Sequence, residues 1–271
     1  MPIVNSGLIG FDDFEQQLFL EGTMHIHRIF PFERFVDLVR NQWLALVRPS
    51  CWEDPFENPF NRMITEALTG KKLRLPHFES MLFAQCWSFS GESDAMWRIY
   101  STDRRGILVT ASAQALLTLG KPQFEPPMEQ VFLGKVQYKS QAELKEMLES
   151  QDFLRNVLRA PAYSPVSSSV ILYKRDSFKH EEEVRLILSR HISEVPGDIA
   201  RFQIPLDKVI LKVTLDPRLS DEEFERYSYL IDKIGYNGHI ERSSLYSVPD
   251  FNLEIPSIEW LYEIPILPAA S

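Results

Sequence analysis

The sequence predicts an α+β fold: a single domain on a mixed, mostly antiparallel sheet, with two small sheets forming a cleft as one arrangement and helices on its flanks. Three observations carry this prediction. Strand-length apolar runs and helical segments follow one another with no regular strand–helix–strand rhythm, which argues against a parallel doubly wound sheet. No internal repeat or low-complexity tract is visible. Hydrophobic residues make up 44% and charged residues 25% of the 271 positions, ordinary values for a chain with one sizeable core. The domain is placed at 23–247, after an arm at 1–22 and before a tail at 248–271 that carries four prolines.

The elements follow from local signals. Met24–Phe30 alternates as a strand and Pro31 closes it. Phe32, Phe35, Val36 and Val39 then recur at helical spacing. Leu44–Val47 is a short strand and Ser80–Phe89 a buried one. Ser93 caps a helix over Asp94–Ser101, which Gly106 separates from a strand at Ile107–Thr110. A short helix within Ala111–Leu119, a loop at 121–128 and a strand at Val131–Tyr138 come next, followed by helix over 141–159. Ala160–Ser169 reads as a Pro/Ser loop, and strands are expected at Val184–Leu188 and Val209–Leu215. Ser220-Asp-Glu-Glu223 is a capping box opening a helix to about Lys233, and the Gly235–Gly238 turn leads to a last strand ending at Leu245–Tyr246.

Charge and cysteine usage narrow the function. A net charge of −9 argues against a broad basic surface for nucleic acid or for an anionic membrane, and leaves room for a small nucleotide-like ligand. Two cysteines, Cys51 and Cys86, make no disulfide framework, and no His/Cys spacing specifies a metal site. The start lacks a basic segment followed by an apolar one, and no apolar run approaches the ~18 residues of a membrane span, so a cytoplasmic, soluble protein is expected.

Four clusters carry chemistry. In Lys174-Arg-Asp-Ser-Phe178-Lys-His-Glu181-Glu-Glu183-Val-Arg185, an extended backbone puts Val184, Leu186 and Leu188 on one face and Glu181, Glu183 and Arg185 on the other. Two carboxylates so placed raise one another's pKa unless Arg185, Lys174 or Arg28 compensates, and the same charges also suit a structural ion network. In Cys86-Trp-Ser88-Phe-Ser90, Ser88 faces away from Trp87 and Phe89, and the helix that follows makes Trp97 and Tyr100 neighbours. Aromatic rings beside hydroxyls can stack a base and bind a ribose, or simply fill a core. In Cys51-Trp-Glu-Asp54-Pro-Phe-Glu57, Asp54 and Glu57 stand either at a pocket rim or in a loop anchored by Trp52 and Phe56. The fourth pairs Asp216-Pro-Arg218 with Ser243-Ser-Leu-Tyr246, strand ends for which structural roles are favoured. His25 and His27 alternate with Ile26 and commit to nothing.

Taken together, Asp54-Pro-Phe-Glu57, Trp87-Ser88, Met96-Trp97-Arg-Ile-Tyr100 with Gly106, Lys174…Phe178…Glu181-x-Glu183-x-Arg185 and Ser243-x-Leu245-Tyr246 resemble the bacterial family known as domain of unknown function 2971, over roughly residues 24–247. The sequence departs from that pattern at His25-Ile-His-Arg28 and in having Phe178 before the paired glutamates. The family's activity is not established, so the resemblance implies a fold family first.

The order of motifs is also similar to that of ADP-ribosyltransferases, which hold NAD between two small sheets. That similarity implies NAD as substrate, with no other cofactor and no metal. Glu183 would be the catalytic carboxylate and Glu181 would activate the acceptor. Arg28 would contact phosphate or ribose, Ser88 or Tyr100 would orient the nicotinamide, and Trp97 would shape the wall, beside Lys174 and Arg185. A toxin or phage-defence role goes with that reading. The alternatives are a non-catalytic binding or regulatory module and a Mg-dependent nuclease, which requires Asp54 or Glu57 beside the glutamate pair.

Overall fold

A computed structural model describes residues 24–54, 56–57, 64–65, 69–73, 81–119, 129–159, 165–190, 197–250, 252, 254 and 256–257. The arm expected at 1–22 and most of the tail at 248–271 lie outside these residues. The strands are β1 (His25–Phe30), β2 (Trp43–Val47), β3 (Ile64–Thr65), β4 (Lys72–Leu73), β5 (Leu82–Ser88), β6 (Ile107–Ser112), β7 (Glu129–Lys135), β8 (Gln137–Lys139), β9 (Tyr173–Arg175), β10 (Glu183–Arg190), β11 (Ile199–Gln203), β12 (Ile210–Leu215) and β13 (His239–Arg242). The α-helices are α1 (Phe32–Asn41), α2 (Asp94–Tyr100), α3 (Ala113–Leu119), α4 (Gln141–Glu149), α5 (Gln151–Arg159), α6 (Pro165–Ser168), α7 (Leu206–Val209) and α8 (Asp221–Lys233).

The α+β class holds, with a mostly antiparallel sheet. In place of two small sheets the described residues form one nine-stranded sheet, ordered β11-β2-β5-β1-β6-β12-β13 with β10 and β7 continuing from β5, and two two-stranded ribbons, β3–β4 and β8–β9. Only β12–β13 and β8–β9 pair in parallel among the described strands.

Strand β5 is the branch point. One edge pairs along its length with β10, from Glu183↔Ser88 to Ser189↔Leu82. The other edge is divided, since β1 bridges it at His27↔Ser88 and β2 at Val47↔Ala84. The sheet forks there, and side chains answer for the backbone left open. Arg28 donates to the Cys86 carbonyl, and Gln85 Nε2 donates to the Ala45 carbonyl at 3.1 Å.

Alternation along the strands divides the core. Val184, Leu186 and Leu188 on β10, with Phe83 and Trp87 on β5 and Ile26 and Phe30 on β1, pack in the principal cluster with Phe35 and Leu38 of α1, Leu116 of α3 and Ile231 of α8. Ile187, Leu82 and Ala84 pack on the other face against Val157 of α5 and Val170, Ile171 and Leu172. Trp97 of α2 covers Ile29 and Leu108 there.

The caps act as expected. The Ser93 hydroxyl accepts from Met96 N–H and Ser220 forms a reciprocal capping box; a second box, at Ser140, is absent from the sequence reading. Several segments differ from the sequence reading, among them the last strand, expected to end at Leu245–Tyr246, which stops at Arg242 ahead of a turn. The expected helix at 141–159 breaks at Ser150, whose backbone is extended (ψ 126°) and whose hydroxyl accepts from Phe153 N–H to start α5. The expected strand at 131–138 ends at Lys135, because Val136 N–H turns to the Glu183 carbonyl and Gln137 begins a ribbon with β9. Within the expected loop at 160–169, Pro165–Ser168 is helical and runs into a 3₁₀ turn at Ser169–Ile171.

Candidate functional site

The fork of the sheet opens as a small cleft of about 70 Å³, lined by His27, Arg28, Ile29, Cys86, Trp87, Met96, Tyr100, Glu181 and Glu183. That volume is well below the roughly 300–1,000 Å³ of ligand pockets, so the cleft encloses only part of a nucleotide-sized ligand. The cleft brings together Arg28, Tyr100, Glu181 and Glu183. Ser88 and Trp97 line an adjoining recess that shares His27, Arg28 and Met96 with it. The Ser88 hydroxyl is used within the protein, donating to the Glu181 carbonyl at 2.7 Å. Trp97 is fully buried and donates from Nε1 to Glu92 Oε1 at 3.0 Å.

Glu181 and Glu183 do not share a strand face as the sequence pattern implied. Glu181 ends a 3₁₀ turn (Asp176–Glu181), and Glu182 takes the left-handed conformation (φ 43°) before β10 begins at Glu183. The two carboxylates meet through this turn, on the same ammonium. Lys174 Nζ lies 2.6 Å from Glu181 Oε2, 3.0 Å from Glu183 Oε2 and 3.0 Å from Glu57 Oε1.

Glu183 and Arg185 do share a face. Arg185 Nε donates to Glu183 Oε1 at 2.7 Å and Nη2 to Glu183 Oε2 at 3.1 Å, and Nη2 also lies 3.2 Å from Glu57 Oε1. The remaining Arg185 Nη1 donates to the Ile171 carbonyl. The guanidinium packs 4.3 Å from the Trp52 ring centroid and is shut off from solvent.

Three carboxylates, Glu57, Glu181 and Glu183, therefore surround two cations, with Arg28 as a third cation across the cleft. Burial opposes ionisation of Glu183, yet Arg185 and Lys174 outweigh it and hold the carboxyl down at about 2. Burial also works against the Lys174 ammonium, but Glu183, Glu181 and Glu57 hold it above the ordinary lysine value. Glu57 is pushed up by burial, which Arg185 and Lys174 offset in part.

Glu57 thus does not stand at a rim. It is buried under the cleft, because its carboxylate completes the shell of Lys174 and Arg185. Asp54 is not in that network. Its Oδ2 pairs with Arg175 Nε at 3.1 Å and its Oδ1 accepts from Phe56 N–H at 3.0 Å, an Asx-type turn.

The cleft side of the network is finished by tyrosines. Tyr100 OH donates to Glu181 Oε1 at 3.1 Å while its ring remains 44% exposed, so it forms a wall that a ligand can touch. Burial and then Glu181 push its phenol well above the usual range, which keeps the proton on the donor. Tyr138 OH accepts from Glu183 N–H at 2.8 Å.

His27 and Cys86 are the lining residues that sequence reasoning missed. Burial, then His25 and Lys212, lower the His27 pKa to about 4, so at neutral pH it is an uncharged ring, its Nδ1 3.1 Å from Thr110 Oγ1. Burial and Glu183 push the Cys86 thiol up to about 12, which leaves it protonated and unreactive. The only available signal was register: His27 pairs with Ser88, and Glu183 pairs with Ser88 from the other side.

A glycine sets the height of the network above the sheet. Gly134 on β7 is the cross-strand partner of Arg185. A Cβ there would come within 2.4 Å of Leu172 Cδ1, so the Ser169–Leu172 segment packs directly on bare backbone. This lets the Ile171 carbonyl reach Arg185 and carries β9, with Lys174, over Glu183.

Among the described residues no group of three or more His, Cys, Asp or Glu side chains is placed to hold a metal ion, and no helix is long and apolar enough to cross a membrane. No functionally curated protein matches the chain. Two solved structures of DarT from Thermus sp. 2.9 are similar to it. The complex with NAD⁺ has a TM-score of 0.38 and 11% identity, covering 82% of this chain and 96% of that one. The complex with ADP-ribosylated single-stranded DNA has a TM-score of 0.38 and 10% identity, covering 82% and 94%. At that score the likeness bears on no residue's role. Residues 96–186 match the profile of the proteins of unknown function DUF2971, so the family resemblance read from the motifs holds over the stretch that contains Tyr100, Lys174, Glu181, Glu183 and Arg185.

Proposed function

We propose that the fork of the sheet is a ligand site for the nicotinamide-ribose end of NAD, and that its carboxylate wall favours breakage of the glycosidic bond, with ADP-ribose passed to an acceptor or to water. The observation that carries this reading is the placement of Glu181 and Glu183 on one wall of an open cleft, with Arg28 on another. Glycosidic cleavage develops positive charge on the ribose. Carboxylates fixed in advance stabilise that charge more than they stabilise the ground state.

Within this reading the roles follow from the hydrogen bonds. Glu183 is held by Arg185 and Lys174, so it supplies fixed negative charge and does not move. Glu181 Oε1 is shared with Tyr100 OH, a contact that a ribose hydroxyl can enter or replace. Arg28 supplies positive charge for a phosphate. A cytoplasmic bacterial toxin or phage-defence effector is the setting in which such an activity fits, with residues 23–247 as one working domain.

The nuclease reading is disfavoured by one observation. Lys174 Nζ stands among the carboxylates of Glu57, Glu181 and Glu183, where a divalent cation would have to sit. The binding-module reading draws on the burial of Arg185 and predicts NAD binding or no NAD binding, but no turnover.

Nicotinamide release from NAD, measured together with NAD-dependent thermal shift, tests the proposal. Wild-type protein is expected to release nicotinamide, and Glu181→Gln to lose on the order of 10²–10³ of that rate. Neither binding nor release by folded wild-type protein at millimolar NAD would end this reading.

A further inference from the structure

The two halves of the fourth sequence cluster, Asp216-Pro-Arg218 and Ser243–Tyr246, converge on opposite ends of helix α2. At seven residues α2 is too short to hold its shape alone. It nevertheless carries Tyr100, the exposed wall of the cleft.

At its C-terminal end, Arg218 Nη2 donates to the carbonyls of Trp97 and Ser101 at 3.2 and 2.5 Å, each of which also accepts one backbone N–H, from Ser101 and Arg104 respectively. Asp216, fully buried, holds the guanidinium from below, with Oδ1 2.8 Å from Nε and Oδ2 2.5 Å from Nη2. The same Oδ2 accepts from the Ser101 hydroxyl at 2.6 Å, and Ser101 Oγ accepts from Gly106 N–H at 2.9 Å. At the N-terminal end, Ser243 donates to Glu92 Oε1, the oxygen that also accepts from Trp97 Nε1. Tyr246 OH donates to Asp94 Oδ1, and Arg98 Nη2 reaches that hydroxyl at 3.4 Å.

The geometry points to Arg218 and Tyr246 as positioning residues that clamp α2 from both ends and so place the Tyr100 hydroxyl on Glu181. Neither lines the cleft, and each acts through a helix whose outer side, Asp94, Ala95, Arg98, Ile99 and Tyr100, faces solvent. The buried Trp97 anchors the inner face of the helix, and these end contacts add the constraint on its exposed side. A turn of the helix by a few degrees carries the phenol off the carboxylate.

This inference rests on the reading of the fork as a ligand site only for its consequence, not for its geometry. The test is therefore made first without ligand. A 3-fluorotyrosine placed at position 100 reports its environment by ¹⁹F chemical shift and by its titration. Arg218→Lys keeps the charge and loses the fork across two carbonyls, and Tyr246→Phe removes one exposed hydroxyl that the fold does not need. In both variants the reporter is expected to shift toward its position in Glu181→Gln and to titrate at lower pH than in the wild type. Arg105→Ala, which removes an exposed arginine paired with Glu33 in the loop between α2 and β6, is the control and leaves it unmoved.

Where wild-type protein turns over NAD, the two variants are also expected to lower kcat about tenfold with little change in KM, the signature of misplacement rather than lost binding. An unchanged reporter in folded Arg218→Lys and Tyr246→Phe overturns the proposal. If Arg218→Lys does not fold, Tyr246→Phe decides alone. A shifted reporter with no NAD turnover in the wild type supports the clamp and removes the proposed reaction.

Discussion

Arg185 Nε lies 2.7 Å from Glu183 Oε1, two residues back along the same strand, and neither side chain is open to water. Glu183 lines the cleft, whereas Arg185 belongs wholly to the interior behind it. Truncating Arg185 to Ala takes from the buried Glu183 and Glu57 one of their two cations and leaves Lys174 to serve three carboxylates, which costs about 3–5 kcal/mol. A drop in Tm on the order of 10 °C is expected for Arg185→Ala. A shift under about 2 °C by calorimetry would show that the network contributes little to folding.

Two pH windows follow from the shifted groups. The Glu183 carboxyl is depressed from 4.5 to about 2, so its stabilisation is complete above pH 4.5 and fades as pH falls toward about 2. His27 is lowered from 6.5 to about 4, so its contribution is complete above pH 6.5 and fades as pH falls toward about 4. Urea titrations across pH should show the wild-type advantage over Glu183→Gln shrinking in the lower window. His27→Gln should flatten the upper one. A wild-type stability with no slope between pH 6.5 and 4 contradicts the burial of a neutral His27.

Glu182 stands in the left-handed region, a conformation that costs a residue with a Cβ about 1–2 kcal/mol. Glu182→Gly relieves that cost and adds freedom to the unfolded chain, so the net change should fall within about 1 kcal/mol of zero. Glu182→Val, branched at Cβ, should destabilise by more than about 2 kcal/mol and detach Glu181 from Lys174. Equal chemical-denaturation midpoints for the two variants would mean the turn relaxes out of this conformation.

Lys174 occupies the place of a cation. Its removal in Lys174→Ala leaves the Glu57, Glu181 and Glu183 oxygens that stood 2.6–3.0 Å from Nζ converging on a vacated position. That shell matches Ca²⁺, at about 2.3–2.6 Å, better than Mg²⁺ at about 2.0–2.1 Å. Thermal-shift titrations should show Lys174→Ala stabilised by Ca²⁺ more than by Mg²⁺, and wild-type protein by neither. Equal responses of variant and wild type would refute the substitution of ammonium for metal.

Much of the fold was legible because its signals are local. Alternation in β1 and the serine caps of α2 and α8 need no tertiary information. Strand β11 escaped because its inward positions are only Ala200 and Phe202, too few to stand out as a period. Of the site, Glu183 and Arg185 were legible as neighbours on a strand face. The meeting of Glu181 with Glu183 depends on a left-handed glutamate, which no propensity favours. Glu57 was misplaced for a different reason: its partners lie far along the chain, and nothing near Pro55 indicates burial. Arg28, on the strand face of Ile26 and Phe30, reaches the cleft only because β1 leaves β5 at the fork.

Gly134 touches no ligand-facing atom, yet it sets a clearance on which the packing over Arg185 depends. One methyl group there would meet the Leu172 side chain, which has to turn or shift beside the Ile171 carbonyl that Arg185 holds. One part of the packing over Arg185 is thus set by an atom that is missing from the sequence rather than by one that is present. Changes on either wall of the cleft can alter what it binds. A change at Gly134 alters the packing behind one of those walls.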